Sequence, residues 1–391
     1  MKHIISKSCA DAQAYIVPFR AGSHRGVSIA PEIDAAVDLA INGSFGGNLG
    51  ETYAMTLPAG DKLTSIILLG LGADKLSVRD IHTKAAPAFK QAKQLGARHA
   101  AIMLDQVSEL SESFELFGAL ARLPQLVGYT NSGLKSNPEN KSFEQVAFVT
   151  AADGLDAALS EAVATARGTI IARRLCNLRS NEQTPQSLAE DAAALGKEYG
   201  FDVQLFDKAA IDELGMESFL SVARGAHNTP PVLIVMRYFN GGDSPRIGLV
   251  GKGIVYDSGG YSIKTTPGMK NMFDDMGGAA AVIGAMTAVA DQRLRANVIG
   301  VIAACENKIA ADAYVPGDII GSMSGKTIEV ISADAEGRLT LADAVTYIQR
   351  KESCRFVADI ATLTGSAKTA VGKYSAAVLT NNEELYASAR E

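Results

Sequence analysis

Three polar clusters in the second half of the chain contain the residue types that could bind metal ions. Oxygen donors suit divalent cations, and a carboxylate that bridges two ions makes a two-metal site possible. The chain has only five histidines, and His227 is the only one after residue 99, so a metal site here must use mainly carboxylates. No His-Glu-x-x-His motif is present, which excludes that class of zinc hydrolase. The clusters are 251–260 with Lys264, 274–278, and 332–338.

Each cluster taken alone also has an explanation other than a metal site. Asp275 could be a first-turn acid that favours the helix dipole, and Asp334 with Glu336 could form a solvated loop pair. Lys252 lies between glycines, as in a phosphate-binding loop, but the Walker spacing and the following Ser or Thr are missing. Gly70-x-Gly72 is an equally weak nucleotide signal.

The elements that must position these clusters follow an α/β pattern. Runs that are apolar on both faces suit central strands of a parallel or mixed sheet, where ligands bind beyond the strand carboxyl ends. Thr184-Pro185 predicts a helix start, with Thr as the N-cap, and a further helix is predicted over Leu339–Gln349. The segment 131–142 has the composition of a surface loop. Strands are predicted at Ala14–Phe19, Thr64–Gly70, Ala100–Leu104, Gln145–Val149, Val232–Met236, Ile247–Val250, Val298–Ala303 and Phe356–Ile360.

The length and alternation predict an N-terminal α/β domain over 1–152, a linking helix and loop over 153–183, and a larger mixed-sheet α/β domain over 184–391. Hydrophobic residues make up 47% of the 391 positions, which excludes global disorder. The net charge of −6 gives no basic footprint for nucleic acid. No apolar run reaches the roughly 20 residues of a membrane span. Four scattered cysteines, Cys9 among them, fit a reducing compartment, so we expect a cytoplasmic protein without membrane or nucleic-acid partners.

Taken together, the charged residues of the three clusters resemble, position by position, the active-site signature of the leucyl (cytosol) aminopeptidase family. The most diagnostic string of that family, Asn-Thr-Asp-Ala-Glu-Gly-Arg-Leu, has its counterpart at 332–339, where Ser332 and Ala333 replace Asn-Thr. The segments 261–264 and 367–370 are similar to the peptidase B branch. The matching residues are Lys252, Asp257, Lys264, Asp275, Asp334, Glu336 and Arg338.

The resemblance implies a metallopeptidase domain that releases N-terminal amino acids from peptides with a free N-terminus. It implies a water nucleophile bridging two divalent ions, Mn²⁺ or Zn²⁺, and a homo-oligomer, the hexamer of the family. Lys264 would polarise the scissile carbonyl, and Arg338 would hold a bicarbonate. The implied metal ligands are Lys252, Asp257, Asp275, Asp334 and Glu336; the implied substrate-binding residues are Met272, Thr362, Leu363 and Gly365.

Two departures from the family keep other functions open. Ser332 and Ala333 remove side-chain hydrogen bonds beside two implied ligands, and losses of this kind weaken metal binding. Family members continue well beyond the Thr-Leu-Thr-Gly motif, so we expect the C-terminal part of the domain to be missing here. The alternative is a catalytically impaired or regulatory, binding member of the same fold. A different metallohydrolase, such as a phosphatase, is a third hypothesis.

Overall fold

A computed structural model describes residues 1–8, 12–22, 29–59, 61–131, 135–136 and 142–390. Cys9 and most of the predicted loop 131–142 lie outside these residues. Contacts within the chain define two compact units, one of Met1–Arg174 with Thr287–Leu294 and one of Leu175–Met286 with Arg295–Glu391. The finer domain boundaries at 152 and 184 stay a prediction.

The N-terminal unit is built on a six-stranded sheet with the order β1-β6-β5-β2-β4-β3. All neighbouring strands are parallel except the antiparallel pair of β3 and β4. The four strands predicted in this part of the chain are confirmed, with ends that shift by at most a few residues. The strands are β1 (Lys2–Ser6), β2 (Ala14–Phe19), β3 (Thr52–Ala59), β4 (Lys62–Gly70), β5 (His99–Met103) and β6 (Gln145–Val149).

Two hydrophobic cores cover the two faces of this sheet. On β2, Ala14 and Ile16 belong to one core, and the alternate residues Tyr15 and Val17 belong to the other. Side chains alternate between the faces of a strand, so a strand buried on both faces has a continuous apolar sequence. The helical segments are α1 (Pro31–Gly43), α2 (Val78–Asp80), a π-helical turn (Ile81–Ala85), α3 (Ala86–Gln94), α4 (Glu109–Glu112), α5 (Phe114–Gly128) and α6 (Asp156–Asn177).

The C-terminal unit contains a mixed five-stranded sheet with the order β13-β9-β10-β8-β7. The strands β13, β9 and β10 are parallel to one another, and β8 runs antiparallel to both β10 and β7. Every apolar run predicted as a strand in this half is a strand of this sheet. The strands are β7 (Asp202–Phe206), β8 (Val232–Phe239), β9 (Arg246–Asp257), β10 (Asn297–Asn307), the separate pair β11 (Ile319–Ile320) and β12 (Ile328–Glu329), and β13 (Phe356–Ile360).

Two helices of this half, which begin at Gly277 and Glu336, start within the polar clusters 274–278 and 332–338. Thr184 is the N-cap of α7, as predicted, and its side chain accepts a hydrogen bond from the backbone N–H of Ser187. None of the helices in the described ranges is long and apolar enough to span a bilayer. The helices are α7 (Pro185–Tyr199), α8 (Lys208–Glu213), α9 (Glu217–Ala223), α10 (Thr266–Met269), α11 (Gly277–Asp291), α12 (Glu336–Glu352), α13 (Gly365–Val371) and α14 (Glu383–Arg390).

Candidate metal centre

Strand β9 carries two of the predicted ligands, Lys252 and Asp257. Residues five apart on a regular strand face opposite sides of the sheet. The pairing of β9 with β10 shifts by one residue, because Ile254 pairs with Cys305 and Tyr256 pairs with Glu306, which leaves Val255 as an extra residue. A bulge of this kind re-aims the side chains that follow it. It thereby brings Asp257 to the same face as Lys252.

The turn after β9 fixes the orientation of the Asp257 carboxylate. Its Oδ1 accepts a hydrogen bond of 2.8 Å from the backbone N–H of Gly259. Gly259 has a φ of +86°, and a Cβ there would also lie 2.6 Å from the carbonyl oxygen of Ser262, so the turn requires glycine. The other oxygen, Oδ2, lies 2.8 Å from Nζ of Lys264, which also forms an ion pair with Asp334.

Asp275 lies just before α11 and is held by two neighbours. Its Oδ2 accepts a hydrogen bond of 2.7 Å from Nζ of Lys252. Its Oδ1 accepts one of 2.7 Å from the hydroxyl of Thr362, which follows β13. The carbonyl oxygen of Thr362 also accepts a 3.2 Å hydrogen bond from Lys252. Thr362, predicted as a substrate-binding residue, therefore contacts two of the predicted metal ligands.

Glu336 is the first residue of α12, three residues earlier than the helix start expected from the sequence. Its Oε1 lies 2.8 Å from Nζ of Lys252. A Cβ on the next residue, Gly337, would lie only 2.4 Å from Cε of Lys252, so a larger residue there would force the Lys252 side chain or the helix turn to move. The first turn of α12 thus packs directly against the Lys252 side chain.

The side chains of Lys252, Asp257, Lys264, Asp275, Asp334 and Glu336 form one cluster that is mostly buried and rich in negative charge. The side chains of Lys252, Asp257, Asp275 and Glu336 are at most 5% exposed, whereas Asp334 is 38% exposed and lies at the opening. The four carboxylates of the cluster face two ammonium groups, from Lys252 and Lys264, so the formal charge of these six groups is −2. A buried excess of like charge is unfavourable unless cations compensate it.

The pKa values of the buried groups follow from this crowding. Burial raises the pKa of Asp275, and the nearby ammonium group of Lys252 only partly opposes this effect. Burial by itself lowers the pKa of Lys252, but the carboxylates of Glu336 and Asp275 outweigh it and raise the pKa above its ordinary value. A lysine that ligates a metal must be neutral, so an ion bound to Lys252 must displace its proton.

The donor set fits divalent cations. Carboxylate oxygens of Asp257, Asp334 and Glu336 all lie within 4.8 Å of one another. Among the described residues, the buried Oε2 of Glu336 has no hydrogen-bond partner. A buried carboxylate oxygen without a donor is costly, and a cation is the kind of partner that it lacks.

The loop from Ser332 to Ala335 is held in place despite its departure from the family string. The Ser332 hydroxyl accepts a hydrogen bond of 3.2 Å from the backbone N–H of Asp334. The backbone N–H of Ala333 donates to the hydroxyl of Ser262 at 3.0 Å, and its carbonyl accepts from the buried hydroxyl of Tyr314 at 2.8 Å. The Ser332 hydroxyl and the backbone of Ala333 thus hold this loop through contacts with Asp334, Ser262 and Tyr314.

The structure does not bring every predicted site residue into this cluster. Arg338 is exposed on α12, and Met272 lies in the short turn before Asp275. Leu363 is 39% exposed, and Gly365 is the first residue of α13. Within the described ranges, no hydrogen bond or ion pair joins these four residues to the cluster.

Sequence reasoning missed Asn307 and Tyr314. Asn307 is fully buried at the end of β10, and its Nδ2 lies 2.8 Å from Oδ1 of Asp257. The rule that ligands bind at strand carboxyl ends could have selected Asn307, because it ends the apolar run of β10. No comparable sequence signal exists for Tyr314, which follows the strand by several residues.

Two family models match this chain. Residues 170–391 match the catalytic domain of the cytosol aminopeptidase family, and residues 34–138 match the N-terminal domain of the same family. These matches define the class as metallo-exopeptidases. The chain belongs to the cytosol aminopeptidase family.

Individual relatives and solved structures agree with this assignment. A probable cytosol aminopeptidase of Clostridium perfringens is 43% identical over 360 residues, which are 89% of this chain and 72% of the relative. One of Fusobacterium nucleatum is 41% identical over 342 residues, covering 87% and 69%. A mutant tomato leucine aminopeptidase superimposes with a TM-score of 0.82 at 29% identity, covering 95% of this chain and 75% of that one. The bottromycin maturation enzyme BotP in complex with Mn gives 0.78 at 27% identity, covering 93% and 75%.

Proposed function

We propose that this chain is an aminopeptidase whose active centre binds two divalent metal ions at the cluster described above. The proposal rests on the buried Oε2 of Glu336, which has no hydrogen-bond partner in the part of the chain that the structure describes. This oxygen belongs to a carboxylate close to those of Asp257 and Asp334. The Mn in the BotP complex makes Mn²⁺ the first ion to test, with Zn²⁺ as the second.

Five side chains would hold the ions. Asp257 and Glu336 would share both ions, Lys252 and Asp275 would complete one, and Asp334 the other. Two divalent ions would compensate the negative charge of the cluster. They would also lower the pKa of a bound water, which would then attack the peptide carbonyl. The hydroxyl of Thr362 donates a hydrogen bond to Oδ1 of Asp275, which would keep that carboxylate oriented for metal binding.

Lys264 is suited to act on the substrate carbonyl. Its Nζ lies between Asp257 and Asp334, at the less buried side of the cluster. Burial lowers the pKa of Lys264, but hydrogen bonds to these two carboxylates raise it above its ordinary value, so the side chain carries a full positive charge. A fixed ammonium group there would stabilise negative charge on the carbonyl oxygen in the transition state.

The remaining roles concern binding of the peptide substrate and oligomerisation of the protein. We assign Met272, Thr362 and Gly365 to the pocket for the N-terminal side chain and the carbonyl of Leu363 to binding the substrate amine. The exposed Arg338 would bind a bicarbonate that carries the proton to the leaving amine. A free N-terminal amine would be selected because an internal peptide nitrogen is a poor ligand. A homo-hexamer, the state that the family resemblance implies, is tested by sedimentation of the full chain.

Hydrolysis of an aminoacyl-anilide in the presence of Mn²⁺ tests the proposal. A Lys264→Met substitution should lower kcat by about 100- to 1000-fold, because a transition-state donor is lost. Its Mn²⁺ affinity should not fall, because removing a positive charge favours cation binding. The matched control is Lys270→Met, an exposed lysine of the same segment. Near-normal turnover by Lys264→Met would refute its role, and no turnover by the folded, Mn²⁺-loaded wild-type chain would favour the impaired or regulatory alternative.

A further inference from the structure

Asn307 lies where three segments of the C-terminal unit meet. Its Nδ2 donates one hydrogen bond of 2.8 Å to Oδ1 of Asp257 and another of 2.9 Å to the carbonyl oxygen of Ala333. Its own backbone carbonyl accepts hydrogen bonds from the N–H and the hydroxyl of Ser258, at 3.0 and 2.7 Å. One fully buried side chain at the end of β10 thus joins the end of β9 to the loop before α12.

The chemistry of the amide explains why asparagine is required here. Both partners of the side chain, a carboxylate oxygen and a carbonyl oxygen, are acceptors, so only the NH₂ group can face them. The opposite side of the amide, Oδ1, has no hydrogen-bond partner among the described residues. A buried acceptor without a donor costs free energy. The two donated hydrogen bonds are therefore the reason for an amide at this position.

The two segments joined by Asn307 carry three of the proposed metal ligands. Asp257 ends β9, while Asp334 follows Ala333 directly and Glu336 begins α12. Oxygens of these three carboxylates lie within 4.8 Å of one another. Like charges at this distance repel, so the arrangement needs contacts that hold the segments together before an ion arrives.

We propose that Asn307 is a positioning residue that preorganises Asp257 relative to Asp334 and Glu336. This inference rests on the proposed metal site and deepens it. The Asn307 side chain would not contact the ions itself. It would act on them only through Asp257 and the loop that contains Ala333. Partners that orient metal ligands typically contribute 10- to 100-fold to metal affinity or activity.

Tyr314 provides an internal comparison. Its hydroxyl donates to the same carbonyl of Ala333, at 2.8 Å, and the residue is 1% exposed. Tyr314 therefore supports the loop alone, whereas Asn307 bridges the loop and Asp257. A Tyr314→Phe substitution removes one buried hydrogen bond of the loop and leaves the bridge intact.

The experiment measures Mn²⁺ affinity of the folded full chain by competition with a fluorescent chelator. Asn307→Leu removes both donors with little change of volume, and Asn307→Ser is the milder second variant. Circular dichroism of the metal-free proteins establishes the folded fraction, to which the affinities are normalised. We expect about 10- to 100-fold weaker Mn²⁺ binding for the Asn307 variants and a smaller loss for Tyr314→Phe. At saturating Mn²⁺, KM for the anilide should change less than kcat.

The outcomes separate the two proposals. Wild-type Mn²⁺ affinity in either folded Asn307 variant overturns the positioning role while leaving the metal site intact. An equal loss in Tyr314→Phe also overturns it, because loop support alone would then explain the effect. A wild-type chain that binds no Mn²⁺ refutes the metal site itself, and the role of Asn307 with it.

Discussion

Lys252 forms ion pairs with two buried carboxylates, so replacing it tests how much these ion pairs contribute to stability. The ammonium group contacts both Asp275 and Glu336, and its side chain is 3% exposed. Removing one partner of a buried ion pair leaves an uncompensated charge and costs about 3–5 kcal/mol. We therefore expect Lys252→Met to lower the free energy of unfolding of the metal-free protein by about that amount. Denaturant unfolding in a chelator measures it, with the exposed Lys351→Met on α12 as the control, for which the change should stay within about 0.5 kcal/mol.

The buried His3 on β1 should make the stability of the N-terminal unit depend on pH. Its Nε2 is buried without a hydrogen-bond partner among the described residues. Burial first, and then the charges of the amino terminus and Arg167, lower the pKa of His3 from 6.5 to about 4. Between these values the unfolded chain binds a proton that the folded chain does not, so stability falls as the pH drops from 6.5 towards 4.

Replacing His3 should therefore flatten this dependence. We expect His3→Gln to lose less stability than the wild type between pH 6.5 and pH 4, as measured by thermal unfolding across that range. Burial also lowers the pKa of His82, so part of the pH dependence should remain. A pH dependence identical to that of the wild type would contradict the assignment to His3.

The first turn of α12 packs against a side chain of strand β9. The helix begins at Glu336, and its first turn leaves no space for a side chain at Gly337 because of the Lys252 side chain. Gly337→Ala should shift this turn, cost about 1–3 kcal/mol of stability by overpacking and weaken Mn²⁺ binding, because Glu336 moves with the turn. Chelator competition and denaturant unfolding measure the two effects.

Gly118 in α5 is the matched control for this substitution. It is also a helical glycine, but a Cβ there would meet no atom within 4 Å. Gly118→Ala should be neutral or stabilising by about 0.4–1 kcal/mol, because alanine loses less backbone entropy on folding. If both variants behaved alike, the tight approach of α12 to Lys252 would not be what limits residue 337.

At the scale of the whole molecule, the net charge of the cluster links metal binding to folding. Four carboxylates and two lysines fold together in the C-terminal unit, so an ion that binds only the folded state stabilises it. At a free Mn²⁺ concentration of 100 times Kd, the gain is about 2.7 kcal/mol per site. We expect Tm to rise with added Mn²⁺ in differential scanning calorimetry. The double variant Asp334→Asn with Glu336→Gln should abolish the rise, and an unchanged Tm of the wild type would argue against a metal site.

Several parts of the site could be predicted from the sequence because their signals are local. The signals of the Thr184-Pro185 helix start, of the carboxylates that follow apolar runs and of eight strands of the two sheets depend on neighbouring residues only. The strands β1, β3 and β7 were not predicted. The start of α12 was expected at Leu339, whereas the helix begins at Glu336. The error arises because Glu336 and Gly337 are placed by packing against Lys252, which lies more than 80 positions away in the chain.

The sequence by itself determined the α/β class, eight of the strands and the polar clusters that follow them, because periodicity and residue chemistry are properties of short segments. The choice of proposed metal ligands within those clusters came from the family resemblance. The tertiary structure alone decided how those donors meet. The extra residue Val255 turns Asp257 to the face of Lys252, and Asn307 ties Asp257 to the loop that carries Asp334 and Glu336. Strand register and hydrogen bonds across such separations depend on the packing of the whole unit, which no local pattern records.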